Sequence, residues 1–246
     1  GGVVNTSAPE YAPFLSPDGL TLYFSRWSDH AGIYQAMRST PSGPFTSIKE
    51  TTGIGAGTFS PWVSTDNLRM YYSGPGWDIS MTQRNSVTDD WSMGTGISEL
   101  NTRGMVCSPT LTADELTIVF MGDNPSGDGK GANLYMASRM NKNSPFDNIV
   151  ALASLNTTNF GEGGPYISPD GLSLYFGSGR NGIGQIFEST RNTLSDPFGT
   201  PQHLSVLDSP YGTGTGYPCL SSDGTALYYT YATNNVGDND IYVSYL

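Results

Sequence analysis

The chain has 246 residues, with 31 glycines, 16 prolines, 12% aromatic residues and only 13% charged residues. That much Gly and Pro excludes a helical bundle, and that much Tyr, Phe and Trp excludes a disordered chain. The formal charge of −11, with 22 acidic and 11 scattered basic residues, argues against nucleic acid and anionic membrane as partners, because both need clustered Lys and Arg; no apolar run approaches the ~20 residues of a membrane helix.

In chain order, one pattern recurs five times. It begins at Ala12-Pro13-Phe14-Leu15-Ser16-Pro17-Asp18-Gly19 and returns as Ser60-Pro61-Trp62-Val63-Ser64-Thr65-Asp66-Asn67. The third and fourth copies are Ser108-Pro109-Thr110-Leu111-Thr112-Ala113-Asp114-Glu115 and Gly164-Pro165-Tyr166-Ile167-Ser168-Pro169-Asp170-Gly171. The fifth is Tyr217-Pro218-Cys219-Leu220-Ser221-Ser222-Asp223-Gly224. A turn of this kind followed by a β-branched and aromatic run (Leu20 to Ser25 and its counterparts) reads as a hairpin. A third run follows in each copy, as at Ile33-Tyr34 and Ile241-Tyr242. Four copies continue with an Arg and an aromatic seven residues on: Arg38 and Phe45, Arg84 and Trp91, Arg139 and Phe146, Arg191 and Phe198. A fourth strand after each aromatic completes a unit of about 50 residues that cannot bury both faces alone. Five such units packed radially can. The expected fold is therefore all-β: a five-bladed β-propeller, four antiparallel strands per blade, over a single domain 1–246. Blades are placed near 10–52, 58–102, 106–157, 162–208 and 215–246.

The fifth copy stops after its third strand. Val4-Asn5-Thr6 matches Leu100-Asn101-Thr102 and Leu155-Asn156-Thr157 at the ends of other blades. The N-terminal segment 1–6 is thus expected to add to the last blade and close the ring. The Pro-Asp-Gly turns, the Leu-Tyr-Phe second strands and the Leu155-Asn156-Thr157 motif with Glu162 and Pro165 resemble the WD-like propeller repeats of the TolB type, in their bacterial envelope or secreted form. The resemblance spans essentially the whole chain. It implies a propeller in a secreted or periplasmic protein, and it spans binding proteins, envelope scaffolds and propellers attached to enzymes.

The recurrent turn aspartates read as local backbone acceptors. The recurrent prolines read as edge-strand residues lining a central channel. Glu10 and Glu162 stand apart: each lies three residues before its blade's channel proline, where Thr58, Val106 and Thr215 stand elsewhere. They are expected at the channel mouth on one face, two blades apart, either as structural acceptors, as ligand contacts, or as an acid–base pair. An inverting pair would be ~6.5–9.5 Å apart. The loops on that face are uneven. Arg26, Trp27, Asp29 and His30 come from blade 1, Trp77 from blade 2, Phe160 and Arg180 from blade 4, and Tyr211 and Tyr231 from blade 5. Aromatics beside amides and carboxylates suit a sugar.

Asp123 and Asp128, in a Gly-rich loop, are the only metal candidates. They lack the EF-hand order, so no cofactor is expected beyond a minor calcium possibility. Cys107 and Cys219 fit no zinc or haem spacing; they are read as core residues, with a disulfide as the alternative. No nucleophile-elbow, Walker or zinc-protease motif is present. The functional expectation is a non-catalytic, monomeric binding module that recognises a glycan or an envelope protein. The alternative is a glycoside-processing enzyme using Glu10 and Glu162.

Overall fold

A computed structural model describes residues 3–28, 30–102, 104–124, 131–209, 213–232 and 239–246. Among these, the strands form five antiparallel sheets. Blade 1 holds β1 (Glu10–Leu15), β2 (Thr21–Arg26), β3 (Gly32–Met37) and β4 (Ser47–Glu50); blade 2 holds β5 (Phe59–Val63), β6 (Arg69–Ser73), β7 (Ile79–Gln83) and β8 (Thr95–Gly96). Blade 3 holds β9 (Val106–Leu111), β10 (Thr117–Asp123), β11 (Ala132–Ser138) and β12 (Asp147–Ala151). Blade 4 holds β13 (Glu162–Ile167), β14 (Ser173–Ser178), β15 (Gln185–Thr190) and β16 (Gln202–His203). Blade 5 holds β17 (Thr215–Leu220), β18 (Ala226–Ala232) and β19 (Asn239–Tyr245). Among the described residues, one 3-10 turn, Ser205–Leu207, is the helical content. First strands contact one another in the order β1, β5, β9, β13, β17 and back to β1, so the sheets form a ring. The expected five-bladed propeller is the observed fold.

Each blade is sandwiched between two others, so its second strand is apolar on both faces. Leu22, Tyr23, Phe24 and Ser25 are all buried, and Phe24, Phe120 and Phe176 are completely so. Removing each such ring from water contributes about 1.5–3 kcal/mol.

The first strands line the channel. Pro13, Pro61, Pro109, Pro165 and Pro218 form its waist, which encloses about 30 Å³. A repeated irregularity sits there. The residue before each proline has a left-handed backbone: Ala12 (φ 51°), Ser60 (49°), Ser108 (53°), Gly164 (54°) and Tyr217 (51°). At the same place every first strand slips register against its second strand. This is a β-bulge, and it turns a backbone N–H out of its own sheet. Three of these N–H groups donate to a hydroxyl on the second strand of the preceding blade: Ala12 to Thr230 Oγ1 at 3.1 Å, Ser60 to Ser25 Oγ at 2.9 Å, and Ser108 to Ser73 Oγ at 2.9 Å. The register puts Met121 and Gly177 at the corresponding places of blades 3 and 4.

The N-terminal segment closes the last blade, as expected, but side-chain chemistry replaces a backbone ladder there. Asn5 Nδ2 donates to the Ile241 carbonyl and Asn5 Oδ1 accepts the Ile241 N–H, both at 3.0 Å. Asn101 makes the same two bonds to Ile79, and Asn156 to Leu134. Thus the Leu/Val-Asn-Thr motif is an amide clamp on a third strand. Val4 packs against the main core beside it. Replacing Asn5 with Ala should lower unfolding stability by about 1–3 kcal/mol in urea titration, because two buried backbone groups of Ile241 lose their partners; an equivalent loss is expected for Asn156→Ala.

Candidate functional site

The two channel faces differ. On the turn face, which carries the first-to-second-strand turns, the five aspartates do the same work. Asp18, Asp66, Asp114, Asp170 and Asp223 each accept the hydroxyl two residues earlier and the N–H two residues later, at 2.5–3.1 Å. The Ser168 hydroxyl and Leu172 N–H hold the Asp170 carboxyl below its ordinary range, and the Ser221 hydroxyl with Thr225 lowers Asp223 to about 2. The fourth turn residue is left-handed in every copy: Gly19, Asn67, Glu115, Gly171 and Gly224. Its carbonyl accepts an arginine Nε–H in four blades, from Arg38, Arg84, Arg139 and Arg191 at 2.6–2.8 Å. Each of these arginines lies over the aromatic seven residues on, 4.3–4.6 Å from the ring centre. The paired Arg and aromatic therefore staple two turns together.

Glu115 does more. It is fully buried and accepts from Arg69 through both oxygens, at 2.7 and 2.8 Å, and from Lys142 at 2.9 Å. Burial would raise its pKa, but these cations hold it below its ordinary value. This inter-blade cluster was not legible in the repeat, where Glu115 stands in the place of a turn glycine. The turn-face mouth itself is an apolar funnel of about 340 Å³, walled by Leu15, Val63, Leu111, Ile167 and Leu220 over Phe14, Trp62 and Tyr166.

The opposite face carries the second-to-third-strand loops and the blade connections. Here Glu10 and Glu162 are enclosed, at 0% and 1% exposure. Glu10 Oε1 accepts the Thr6 hydroxyl at 2.6 Å and Arg26 Nε at 2.8 Å, while Oε2 accepts the Thr6 N–H at 3.0 Å. Glu162 repeats this with the Thr157 N–H at 2.9 Å, the Thr157 and Ser178 hydroxyls at 3.1 and 2.8 Å, and Arg180 at 3.4 Å. Arg26 and Arg180 also donate to the carbonyls of Val4 and Leu155 and lie over Tyr34 and Phe187. Both glutamates thus tie a connecting segment to a strand start.

Of the other expected contacts, Trp27 and Trp77 are on the surface, at 55% and 47% exposure, and Trp77 meets Phe59 edge-on at 5.0 Å. His30 is exposed. Tyr231 was expected to face a ligand; instead it is buried, packed 4.5 Å from the Tyr242 ring and paired in register with Thr215. Asp123 Oδ2 accepts the Met105 N–H. Asp29, Tyr211 and Asp128 lie outside the described residues. Among the described residues no three His, Cys, Asp or Glu side chains converge. Cys107 and Cys219 are unpaired and buried, with burial pushing both thiols up to about 12.

Sequence reasoning did not find the hollows on this face. Two concavities of about 400 and 210 Å³ flank Tyr217 and share Thr215, Gly216 and Tyr217. One extends past Tyr11 to Ala232, the other past Gly163 and Gly177 to Gly184. Tyr11 and Tyr217 approach at 5.9 Å, and their phenols make no hydrogen bond within the described residues. Phe160, partly exposed, stands beside Gly179 at the rim. The available signal was the glycine density of Gly161 to Gly184 and of Gly212 to Gly216.

No protein-family model matches the chain, and no curated protein is significantly similar to it. Its likeness is to solved structures. A putative TolB from Agrobacterium tumefaciens is 18% identical with a TM-score of 0.60, covering 98% of this chain and 78% of its own. A thermostable family-43 glycoside hydrolase is 14% identical with a TM-score of 0.68, covering 99% and 91%. An arabinanase of Bacillus subtilis is 14% identical with a TM-score of 0.66, covering 99% and 96%. At these identities the likeness establishes the propeller fold, which is shared by proteins of unlike activity.

The charge arrangement makes an acid limb. Glu115, Asp66 and Asp170 all have lowered folded pKa values, so the stability they contribute is present above their unfolded values and is lost as pH falls through the folded ones. Thermal stability should therefore fall from near pH 4.5 toward pH 2. Glu115→Gln should lower the plateau at pH 7 and flatten that limb, read as the melting temperature across pH.

Proposed function

We propose that this propeller is a non-catalytic recognition module of an exported bacterial protein, of the TolB type, which binds a glycan or envelope component on the loop-bearing face. The observation that carries this reading is the use of Glu10 and Glu162: both carboxylates are enclosed and spent on Thr and Arg partners. A general acid or base must come within about 2.6–3.2 Å of a substrate atom, and these two have no free surface to offer. The same face presents exposed Trp27, Trp77 and Phe160 as flat apolar platforms and carries the two glycine-lined hollows, with Phe160 at the rim of one. A purely structural spacer gives no reason for such hollows. The acidic charge favours partners that are not polyanions.

A second reading, a glycoside-processing enzyme, is favoured by the fold likeness to glycoside hydrolases. It requires Glu10 and Glu162 to leave their present partners. One experiment separates the two: a glycan array and an envelope-protein binding screen of the wild type against a Trp27→Ala, Trp77→Ala double variant, with hydrolysis of every bound glycan followed in parallel. The recognition reading expects binding by the wild type, at least about tenfold loss in the double variant (about 1.4 kcal/mol), and no product release. Equal binding by both proteins, or turnover abolished by Glu162→Gln, would contradict it.

A further inference from the structure

The turn-face funnel has no part in the recognition reading, which concerns the opposite face. The turns and the third-to-fourth-strand loops of the funnel's face fall entirely within the described residues. All five blades contribute to the lining of the funnel, so it is a well and not a groove. It encloses about 340 Å³ and narrows below to the proline waist of about 30 Å³. A concavity of this volume with mostly apolar walls has the size of a small-ligand pocket, and a well offers an extended peptide no length to lie along.

Its floor lies where the repeat changes. The residue after each channel proline is Phe14, Trp62, Thr110, Tyr166 and Cys219 in turn. The three rings floor the funnel. In blades 3 and 5 the smaller side chains instead accept a backbone N–H of a neighbouring blade: Thr110 Oγ1 from Ile167 at 3.1 Å, and Cys219 Sγ from Leu15 at 3.4 Å. Above the floor, Leu220 and Pro17 are partly exposed and Ala113 and Pro169 are exposed, so the upper wall presents accessible apolar surface.

The lip adds charge. It is formed by Pro17, Thr65, Ala113, Pro169 and Ser222, and the next residue in each blade is a turn aspartate. Neighbouring Cα atoms are about 3.8 Å apart, so Asp18, Asp66, Asp114, Asp170 and Asp223 surround the mouth, and all five are exposed. Each commits one oxygen to its own turn. Among the described residues, Asp66 is the one of the five that also forms an ion pair, with Arg69. The other cations of this face are engaged elsewhere: Arg38, Arg84, Arg139 and Arg191 on turn carbonyls, and Lys142 on Glu115. Backbone donors are scarce at the lip, because Pro17 and Pro169 have no N–H and Ala113 gives its own to the Pro169 carbonyl at 2.9 Å. An acceptor-rich, acidic mouth over an apolar well is complementary to a cation that carries a hydrocarbon tail. We infer that the funnel binds a small amphiphilic organic cation of the alkylammonium class, its tail between the five aliphatic side chains and its head group at the ring of aspartates.

The test is isothermal titration with octylammonium, 1-octanol and octanoate, three ligands with one tail and different heads, each below its micellar range. The proteins are the wild type, an Asp114→Asn, Asp170→Asn, Asp223→Asn triple variant, and Ala113→Phe. The expected result is a single octylammonium per chain, bound about tenfold or more tighter than octanoate, with octanol between them. Asparagine Oδ1 still accepts the turn hydroxyl and N–H, so the triple variant removes charge and keeps the turns. It should weaken octylammonium about tenfold and leave octanol unchanged, whereas a purely structural effect would weaken both. Ala113→Phe places a ring on the exposed lip and should weaken all three ligands. Should the triple variant fail to fold, the ranking of heads on the wild type and the loss in Ala113→Phe decide the matter alone. Octanoate bound as tightly as octylammonium overturns the inference, and so does octylammonium that fails to bind. Binding of several octylammonium ions that Ala113→Phe does not change overturns it as adsorption to an acidic surface. A leucine peptide flanked by lysines, bound where octylammonium is not, overturns it in favour of a protein partner.

Discussion

The structure depends on one constraint repeated around the channel: a left-handed residue ahead of a proline, whose N–H can find no partner in its own sheet. A first strand on the channel side is an edge strand, so the proline there removes no ladder bond. The bulge beside it bends the strand and sends one donor toward the neighbouring blade. Where that neighbour supplies a serine or threonine, a single short bond joins the second strand of one blade to the first strand of the next. Thr230 to Ala12 is such a bond across the ring closure, and Asn5 on Ile241 adds two more. The ends of the chain are thus held by the same small polar devices that join interior blades, with the apolar core supplying the bulk of the burial.

Function, in this view, belongs to the places where the repeat changes. Fivefold duties identify themselves by recurrence: the turn aspartates, the arginine staples and the channel prolines each do in one blade what they do in the others. Glu10 and Glu162 occur in two blades and have the same partners in both, which marks them as a variant of strand-start support. Glu115 replaces a turn glycine and gathers Arg69 and Lys142 into an inter-blade charge cluster. Gly177 and Thr215 differ from their counterparts as well: Gly177 brings no side chain to its blade junction, and Thr215 Oγ1 has no hydrogen-bond partner among the described residues.

Most of the fold was legible in the sequence because its information is periodic. The Pro-x-aliphatic-Ser/Thr-x-Asp copies report blade number, the seven-residue Arg and aromatic spacing reports a contact that the structure places at under 5 Å, and Val4-Asn5-Thr6 reports ring closure. The site was less legible for a physical reason. Residue type does not say whether a carboxylate faces ligand or an arginine of its own blade, and Glu10 needed Arg26 and Thr6 in place before its role could be read. Tyr231 looked available because it ends a strand at a loop, yet Tyr242 covers it. The hollows on the loop-bearing face are lined largely by glycine, and an absence of side chains has no motif.

The measurement that bears most directly on this account removes one bond between blades. The Ser108 N–H donates to Ser73 Oγ at 2.9 Å, so the account expects Ser73→Ala to strand a buried donor and to lower unfolding stability by about 1–3 kcal/mol in urea titration. A Ser73→Ala protein as stable as the wild type would contradict it.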